Sequence, residues 1–130
     1  MNLESPKISI EKNAKDIFSF LSKVENFEKL MPESIEKFES LDEKSFLFQL
    51  KNMPVIKLEL KSTVEDAEIL LGAKSDKLPF TLKGKIDSTS ETSSDVQLFF
   101  EGQFNAMMSM MIKSPIQKFI DTLAENIKKI

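Results

Sequence analysis

The sequence predicts an α+β domain in which a long C-terminal helix packs across a curved antiparallel sheet of about seven strands. Apolar residues repeat at helical spacing near the start, at every second position through much of residues 35–105, and again at helical spacing near the end. The 130 residues are 41 % hydrophobic and 30 % charged, the size and composition of one globular domain. We therefore expect residues 1–130 to form a single domain.

The first part of the chain predicts a strand and two short helices. Residues 3–11 are predicted to form a strand, with Pro6 tolerated near an edge and residues 7–10 alternating like a half-buried strand. Asn13 then stands where it can cap a helix. The apolar residues that follow at spacings of three and four predict two helices with a break near residues 23–26. Pro32 ends the second helix, because the residue before a proline is pushed out of the helical region.

Residues 35–105 predict six strands joined by tight turns. The most regular strand has an inward row of Ile56, Leu58, Leu60, Ser62 and Val64. Turn signals fall at residues 42–44, 52–54, 65–66, 75–77 and 90–94. Gly84 and Gly102 interrupt strand patterns in a way typical of a bulge or bend, so we expect the sheet to curve strongly.

The last helix is predicted in two pieces. Ser114, Pro115 and Gln117 form a capping-box arrangement for a helix that runs to the end of the chain. Its apolar stripe consists of Ile116, Phe119, Ile120, Leu123, Ile127 and Ile130. Residues 106–113, just before it, form a Met-rich helical entrance. The joint at Ser114 is where we expect a gate to move.

This order of elements resembles the START-like, or Bet v1-like, helix-grip superfamily. The resemblance rests on the opening ISIEKNAKDIFSFLSKVENFEKLMP, residues 8–32, and the closing FNAMMSMMIKSPIQKFIDTLAENIKKI, residues 104–130. Members related to polyketide cyclases, coenzyme-Q-binding proteins and lipid-transfer domains hold an apolar molecule between the sheet and the last helix. The resemblance implies the same place for a ligand here.

A bent sheet crossed by one helix leaves a gap that apolar side chains would line. We expect the lining residues to be Phe46, Phe48, Leu58, Leu60, Leu82, Phe100, Phe104, Met108, Met111, Ile112, Phe119 and Leu123. The methionines suit a gate, because Met adapts to irregular partners. In the alternatives, the same side chains simply fill the core, or exposed methionines form a docking surface for a protein or a membrane.

The residue types that are missing restrict the chemistry. The chain has no His, Cys, Trp, Tyr or Arg, and all 18 of its basic residues are Lys. Without imidazole or thiolate groups it lacks the usual general base, nucleophile and zinc ligands, so we expect no catalytic residue, metal or cofactor. Ser62 and Ser88, which the strand patterns place inward, have no base to activate them. The paired carboxylates lie at predicted turns and polar faces.

The net charge of −3 and the absence of Arg disfavour a nucleic-acid partner. No leader and no stretch of about 18 apolar residues is present, so we expect a cytoplasmic protein without stable membrane insertion. No pattern indicates an oligomeric state. The predicted function is non-catalytic binding or transport of a small apolar ligand, a lipid, quinone or polyketide-like molecule. Its alternatives are a protein-interaction module of the ribosome- or chaperone-associated kind, and an enzyme of the polyketide cyclase or dehydratase kind.

Overall fold

The computed structural model describes residues 1–51, 53–73 and 80–130. The chain begins with strands β1 (Asn2–Glu4) and β2 (Ile8–Ile10), helix α1 (Ala14–Leu21) and a 3₁₀ helix (Val24–Leu30). Six strands follow, namely β3 (Lys37–Ser40), β4 (Ser45–Gln49), β5 (Ile56–Val64), β6 (Glu68–Ala73), β7 (Phe80–Ser90) and β8 (Ser93–Gly102). Helix α2 (Ala106–Ile127) completes the fold. The predicted α+β class and order of elements are confirmed.

The strands form one antiparallel sheet in the order β1-β8-β7-β6-β5-β4-β3, with β2 also paired to β8. The first predicted strand is therefore split in two, because Pro6 has no N–H to offer its neighbour. Ser5 keeps the two pieces in line. Its N–H donates to the Leu98 carbonyl at 2.9 Å, and its hydroxyl oxygen accepts from the Leu98 N–H at 2.9 Å. Both pieces thus follow the same edge of β8.

The helix pair lies where it was predicted. The Asn13 side chain caps α1 by accepting a hydrogen bond from the Asp16 N–H at 2.8 Å. The second helix has 3₁₀ rather than α geometry, and it ends at Leu30, before Pro32. The apolar faces of the two helices are buried through Ile17, Leu21, Val24, Phe27 and Leu30. This pair closes one end of the interior.

The regular alternation predicted for β5 holds only for its first half. Ile56 and Leu58 are buried, but the register shifts between Leu60 and Ser62, and Val64 is 54 % exposed. After the shift, Thr63 rather than Ser62 stands opposite the buried Ile69. An extra residue in one strand reverses the faces of those that follow it. The inward placement of Ser62 was therefore wrong.

Ser88 was also wrongly placed inward, since it is exposed near another register shift, between Ser88 and Ser90. The register passes Gly84 regularly, so the bulge predicted there is absent. The turns predicted at residues 42–44 and 65–66 connect strands, and Asp66 there adopts a positive φ of 58°. The predicted turn at 75–77 lies outside the described residues, as does residue 52 of the turn at 52–54.

Helix α2 is continuous from Ala106 to Ile127, so the two-piece prediction was wrong. The cap is Asn105, whose side chain accepts from the Met108 N–H at 2.8 Å. Ser114 and Pro115 lie inside the helix. An interior proline costs about 3 kcal/mol, because it removes one backbone hydrogen bond. Burial of Ile112 and Ile116 on either side of Pro115 offsets that cost and keeps the helix in one piece.

Stacked phenylalanine rings fill the interior between β4 and the middle of α2. The Phe46 ring lies 5.3 Å from that of Phe27 and 6.1 Å from that of Phe48. The ring of Phe48 then meets that of Phe119 at 4.8 Å, with an interplanar angle of 11°. Further along α2, the Asn126 side-chain amide donates to the Leu30 carbonyl at 2.8 Å. The C-terminal half of α2 is therefore firmly packed on the sheet and the 3₁₀ helix.

Candidate functional site

An apolar cavity lies beneath the first half of α2. It encloses about 20 Å³, which is room for about one water molecule. The residues around it come from β5, β7, β8 and α2 and from the β4–β5 and β8–α2 connections: Met53, Pro54, Ile56, Phe80, Phe100, Phe104, Met108, Ile112 and Ile116. All of these described lining residues are apolar, so the cavity favours an apolar occupant.

The sheet side of the cavity is built by three aromatic rings around Gly102. Phe80 stands opposite Gly102 across β7 and β8. The Phe100 ring lies 5.0 Å from that of Phe80 and 6.2 Å from that of Phe104. A Cβ atom on Gly102 would lie 2.6 Å from the Phe104 ring and 2.9 Å from the Phe80 Cβ. Gly102 thus marks a close approach that lets Phe104 fold back over the strand before α2 begins.

The β4–β5 connection forms a second wall. The Met53 N–H donates to the Leu50 carbonyl at 3.0 Å, and the Met53 carbonyl accepts from the Gln49 side-chain amide at 3.0 Å. These bonds hold Met53 and Pro54 against the cavity. Pro54 and the following Val55 are also exposed, Val55 at 42 %. The connection therefore shows apolar surface both to the cavity and to the outside.

The first turns of α2 divide their methionines between two environments. Met108 lines the cavity together with Ile112 and Ile116, one helical turn apart. Met107, Met110 and Met111 are 75 %, 83 % and 66 % exposed. The Met-rich segment is therefore neither pure core nor pure surface. It is a cover whose inner row closes the cavity and whose outer row faces away from it.

Four of the twelve residues predicted to line a cavity do so, namely Phe100, Phe104, Met108 and Ile112. Seven others pack in the core or at its edge. The Phe48 ring stacks with those of Phe46 and Phe119. Leu58, Leu82 and Leu123 are buried, and Leu60 is partly buried. The remaining residue, Met111, points out of the cavity. Met111 follows Met108 by three residues, about 60° away around the helix, and so lies beside the inner row of Met108, Ile112 and Ile116.

Sequence reasoning missed five lining residues: Met53, Pro54, Ile56, Phe80 and Ile116. Ile116 carried a usable signal, since it follows Ile112 by four residues in one helix. Phe80 carried one too, as it precedes the inward Leu82 by two positions in β7. No local signal places Met53 and Pro54 beside α2, because that contact depends on how far the β4–β5 connection reaches.

The buried polar side chains described lie away from this cavity. The buried side-chain nitrogen and oxygen atoms described all have hydrogen-bond partners. Buried Ser94, for example, donates to the Lys12 carbonyl at 2.9 Å. Within the described residues, no cluster of acidic side chains is arranged to hold a metal ion. The same part of the chain contains no helix that is long and apolar enough to cross a bilayer.

Several solved structures share this fold. The protein XoxI of Bacillus cereus superposes with a TM-score of 0.75 at 7 % identity, over 98 % of this chain and 93 % of its own. A START superfamily protein of Mycobacterium smegmatis gives 0.71 at 13 % identity, over 98 % and 94 %. Norcoclaurine synthase of Thalictrum flavum gives 0.77 at 12 % identity, over 99 % and 84 %. No protein-family model and no curated protein matches the sequence.

At these identities the likeness concerns the fold alone. It spans nearly the whole chain, and it includes the helix pair, the curved antiparallel sheet and the long helix that covers it. The resemblance carried by residues 8–32 and 104–130 is thereby confirmed at the level of architecture. The chain has the START-like, or Bet v1-like, helix-grip fold.

Proposed function

We propose that this chain binds a small apolar molecule, of the lipid, quinone or polyketide-like kind, between the sheet and the first half of α2. The observation that carries the proposal is the apolar lining of the cavity. Affinity would come from apolar surface removed from water, about 25 cal/mol per Å². The described lining residues carry no ionisable group, which supports binding or carriage rather than acid–base catalysis.

The cavity must enlarge to accept such a molecule. Its volume is about 20 Å³, whereas pockets for small molecules are typically about 300–1,000 Å³. In this proposal the structure therefore corresponds to a closed form. Apolar side chains that line the cavity, such as Phe104 and Met108, would move apart and contact the ligand.

The first half of α2 is the part best suited to move. Pro115 has no N–H, so the Met111 carbonyl lacks the usual bond across that turn. Beyond Pro115 the helix is held by buried Phe119, Ile120 and Leu123. Since interior prolines are common sites of helix bending, opening would be confined to the turns before Pro115.

The fold supports this reading by analogy. One solved structure with a TM-score of 0.74 and 12 % identity is norcoclaurine synthase in complex with dopamine and hydroxybenzaldehyde. That protein thus holds small aromatic compounds on the same architecture. For this chain the analogy supports a ligand site in general, while the apolar lining supports its chemical class.

Native mass spectrometry of protein purified from its own host tests the proposal, with a neighbouring pair of methionines as variant and control. Met108 lines the cavity and Met107 is 75 % exposed. We expect the wild-type chain to retain an apolar ligand, Met108→Trp to lose it by filling the space, and Met107→Trp to retain it. A wild-type chain that carries no ligand, or equal retention by both variants, would contradict the proposal.

A further inference from the structure

We propose that the outer surface of the cavity cover docks on a membrane with anionic headgroups, where an apolar ligand would enter or leave. This docking face consists of Pro54, Val55, Met107, Met110, Met111 and Lys113. The exchange of a ligand at the membrane rests on the proposed function. The docking itself is argued from the exposed apolar side chains and the charges of this face.

Apolar exposure is concentrated on this face. Met107, Met110 and Met111 are the most exposed large apolar side chains described, and Val55 is also exposed, at 42 %. Pro54 and Met108 line the same cavity, so the β4–β5 connection and the start of α2 are neighbours. A contiguous exposed apolar surface of this kind marks an interaction site more often than chance exposure does.

The charge around the face is basic, although the whole chain carries a net charge of −3. Residues 102–120 contain no Asp or Glu and carry Lys113 and Lys118. Residues 50–58 likewise contain no acidic residue and carry Lys51, while Lys57 alternates with the inward Ile56 and Leu58 and so lies on the other face of the sheet. The positive end of the α2 dipole lies in the same region. Both segments that cover the cavity are thus complementary to an anionic surface.

Along α2, the exposed methionines come first and the lysines follow, which matches the order of hydrocarbon and phosphate layers in a bilayer. At 1.5 Å per residue, Lys113 lies about 4.5 Å beyond Met110 along the helix axis, and Lys118 lies about 12 Å beyond Met110. Met110, Lys113, Lys118 and Asp121 border one shallow surface groove, where the Asp121 carboxylate accepts a hydrogen bond from the Gln117 side-chain amide at 2.9 Å. If the methionines enter the hydrocarbon boundary, the lysines reach the phosphate level, where their long stems can extend. A bilayer also dissolves the class of ligand proposed above.

Vesicle sedimentation tests the proposal on the whole chain without added ligand. The probes are phosphatidylcholine vesicles with and without phosphatidylglycerol. We expect sedimentation only with the anionic vesicles and a decline with added salt. Lys113→Gln and Lys118→Gln should each weaken binding about fivefold. Replacing Met107, Met110 and Met111 together with Ser should weaken it about tenfold or more.

The chain offers matched controls on other elements. Leu41 and Val64 are exposed apolar residues away from α2, and Lys15 and Lys23 are exposed lysines of the helix pair. Substituting Leu41 and Val64 with Ser, or Lys15 and Lys23 with Gln, should leave vesicle binding unchanged. Equal losses in the control variants would overturn the proposal, because they would reflect charge or hydrophobicity of the whole chain rather than this face.

Other occupants of the face give different results. If the wild-type chain sediments with neither kind of vesicle, the proposal is wrong. If sedimentation equilibrium shows a dimer that the triple Met→Ser variant converts to a monomer, the face joins two copies of the chain instead. Met108→Trp separates docking from ligand binding, since it should block the cavity but still sediment with anionic vesicles. Docking without a retained ligand would overturn the proposed function and leave the docking face intact.

Discussion

Gly102 shows how one residue positions the candidate site. Its hydrogen atom occupies a place where a Cβ would meet the Phe104 ring at 2.6 Å, and that ring in turn stacks over Phe100. Asn105, the cap of α2, follows at once. The position of the helix start relative to the sheet therefore depends on the absence of a side chain at Gly102. The sequence drew attention to this glycine, but for a bend rather than for a close approach.

Gly102→Ala should lower the free energy of unfolding by about 1–3 kcal/mol, because the added methyl group overpacks the aromatic rings. Urea unfolding followed by far-UV circular dichroism measures the change. Gly72→Ala is the control, since its Cβ would meet the side chain of Lys61, which is flexible and partly exposed. We expect the control to be close to neutral. A similar loss in both variants would contradict the role assigned to Gly102.

The methionines also show what can be predicted at the residue scale. Their number in residues 107–111 was plain from the sequence, and so was their suitability for a cover. Which of them faces inward was not, because successive residues lie about 100° apart around a helix and the rotation of α2 against the sheet is set by packing. Met108 lines the cavity, whereas Met111 lies about 60° from it around the helix and is 66 % exposed.

At the scale of elements, the missing joint in α2 is the main departure from expectation. Ser114, Pro115 and Gln117 have the local pattern of a helix start, yet the helix is capped at Asn105 and runs through them. Its continuity allows Met108 and Ile112 to pack with the apolar stripe on the sheet. Tertiary packing thus overrides a local signal, which propensity rules cannot weigh. Helix α1, the 3₁₀ helix and the first half of β5 follow their periodicity, because each has one clearly apolar face there.

The two caps can be compared directly by substitution. Asn105→Ala should destabilise the chain by about 1 kcal/mol, because the Met108 N–H would lose its side-chain acceptor. Ser114→Ala should change the stability little, as Ser114 is an exposed residue inside the helix. Chemical denaturation of the two variants side by side gives the difference. A larger loss for Ser114→Ala would show that the helix begins there in solution.

At the scale of the whole molecule, the sheet and helices were predictable because their patterns are local and repeated. How the side chains fill the interior was not predictable from the sequence. Phe46, Phe48 and Phe119 were expected around a cavity, yet their rings stack and close that end. In the described part of the chain, the small apolar cavity lies near Phe104 and Met108 instead. Its volume depends on ring contacts between distant elements, and no periodicity encodes those contacts.

The two halves of α2 differ in how firmly they are packed, and this difference bears on the proposed function. The C-terminal half of α2 is fixed by the phenylalanine stack and by the hydrogen bond from Asn126 to Leu30. The half before Pro115 covers the cavity with only one row of apolar side chains. A ligand that enters beneath it would move few contacts and leave the core intact. We therefore place opening, binding and membrane docking at one end of the molecule.

Methionine methyl NMR during a titration with decanol tests this account most directly, because the seven methionines report from different places. Met53 and Met108 line the cavity, and Met107 and Met110 are exposed on the docking face. Met31 is buried beside the 3₁₀ helix. We expect the methyl signals of Met53 and Met108 to shift first and to saturate together, while that of Met31 stays in place. Shifts confined to Met107 and Met110, with Met108 unchanged, would show surface adsorption and contradict an internal binding site.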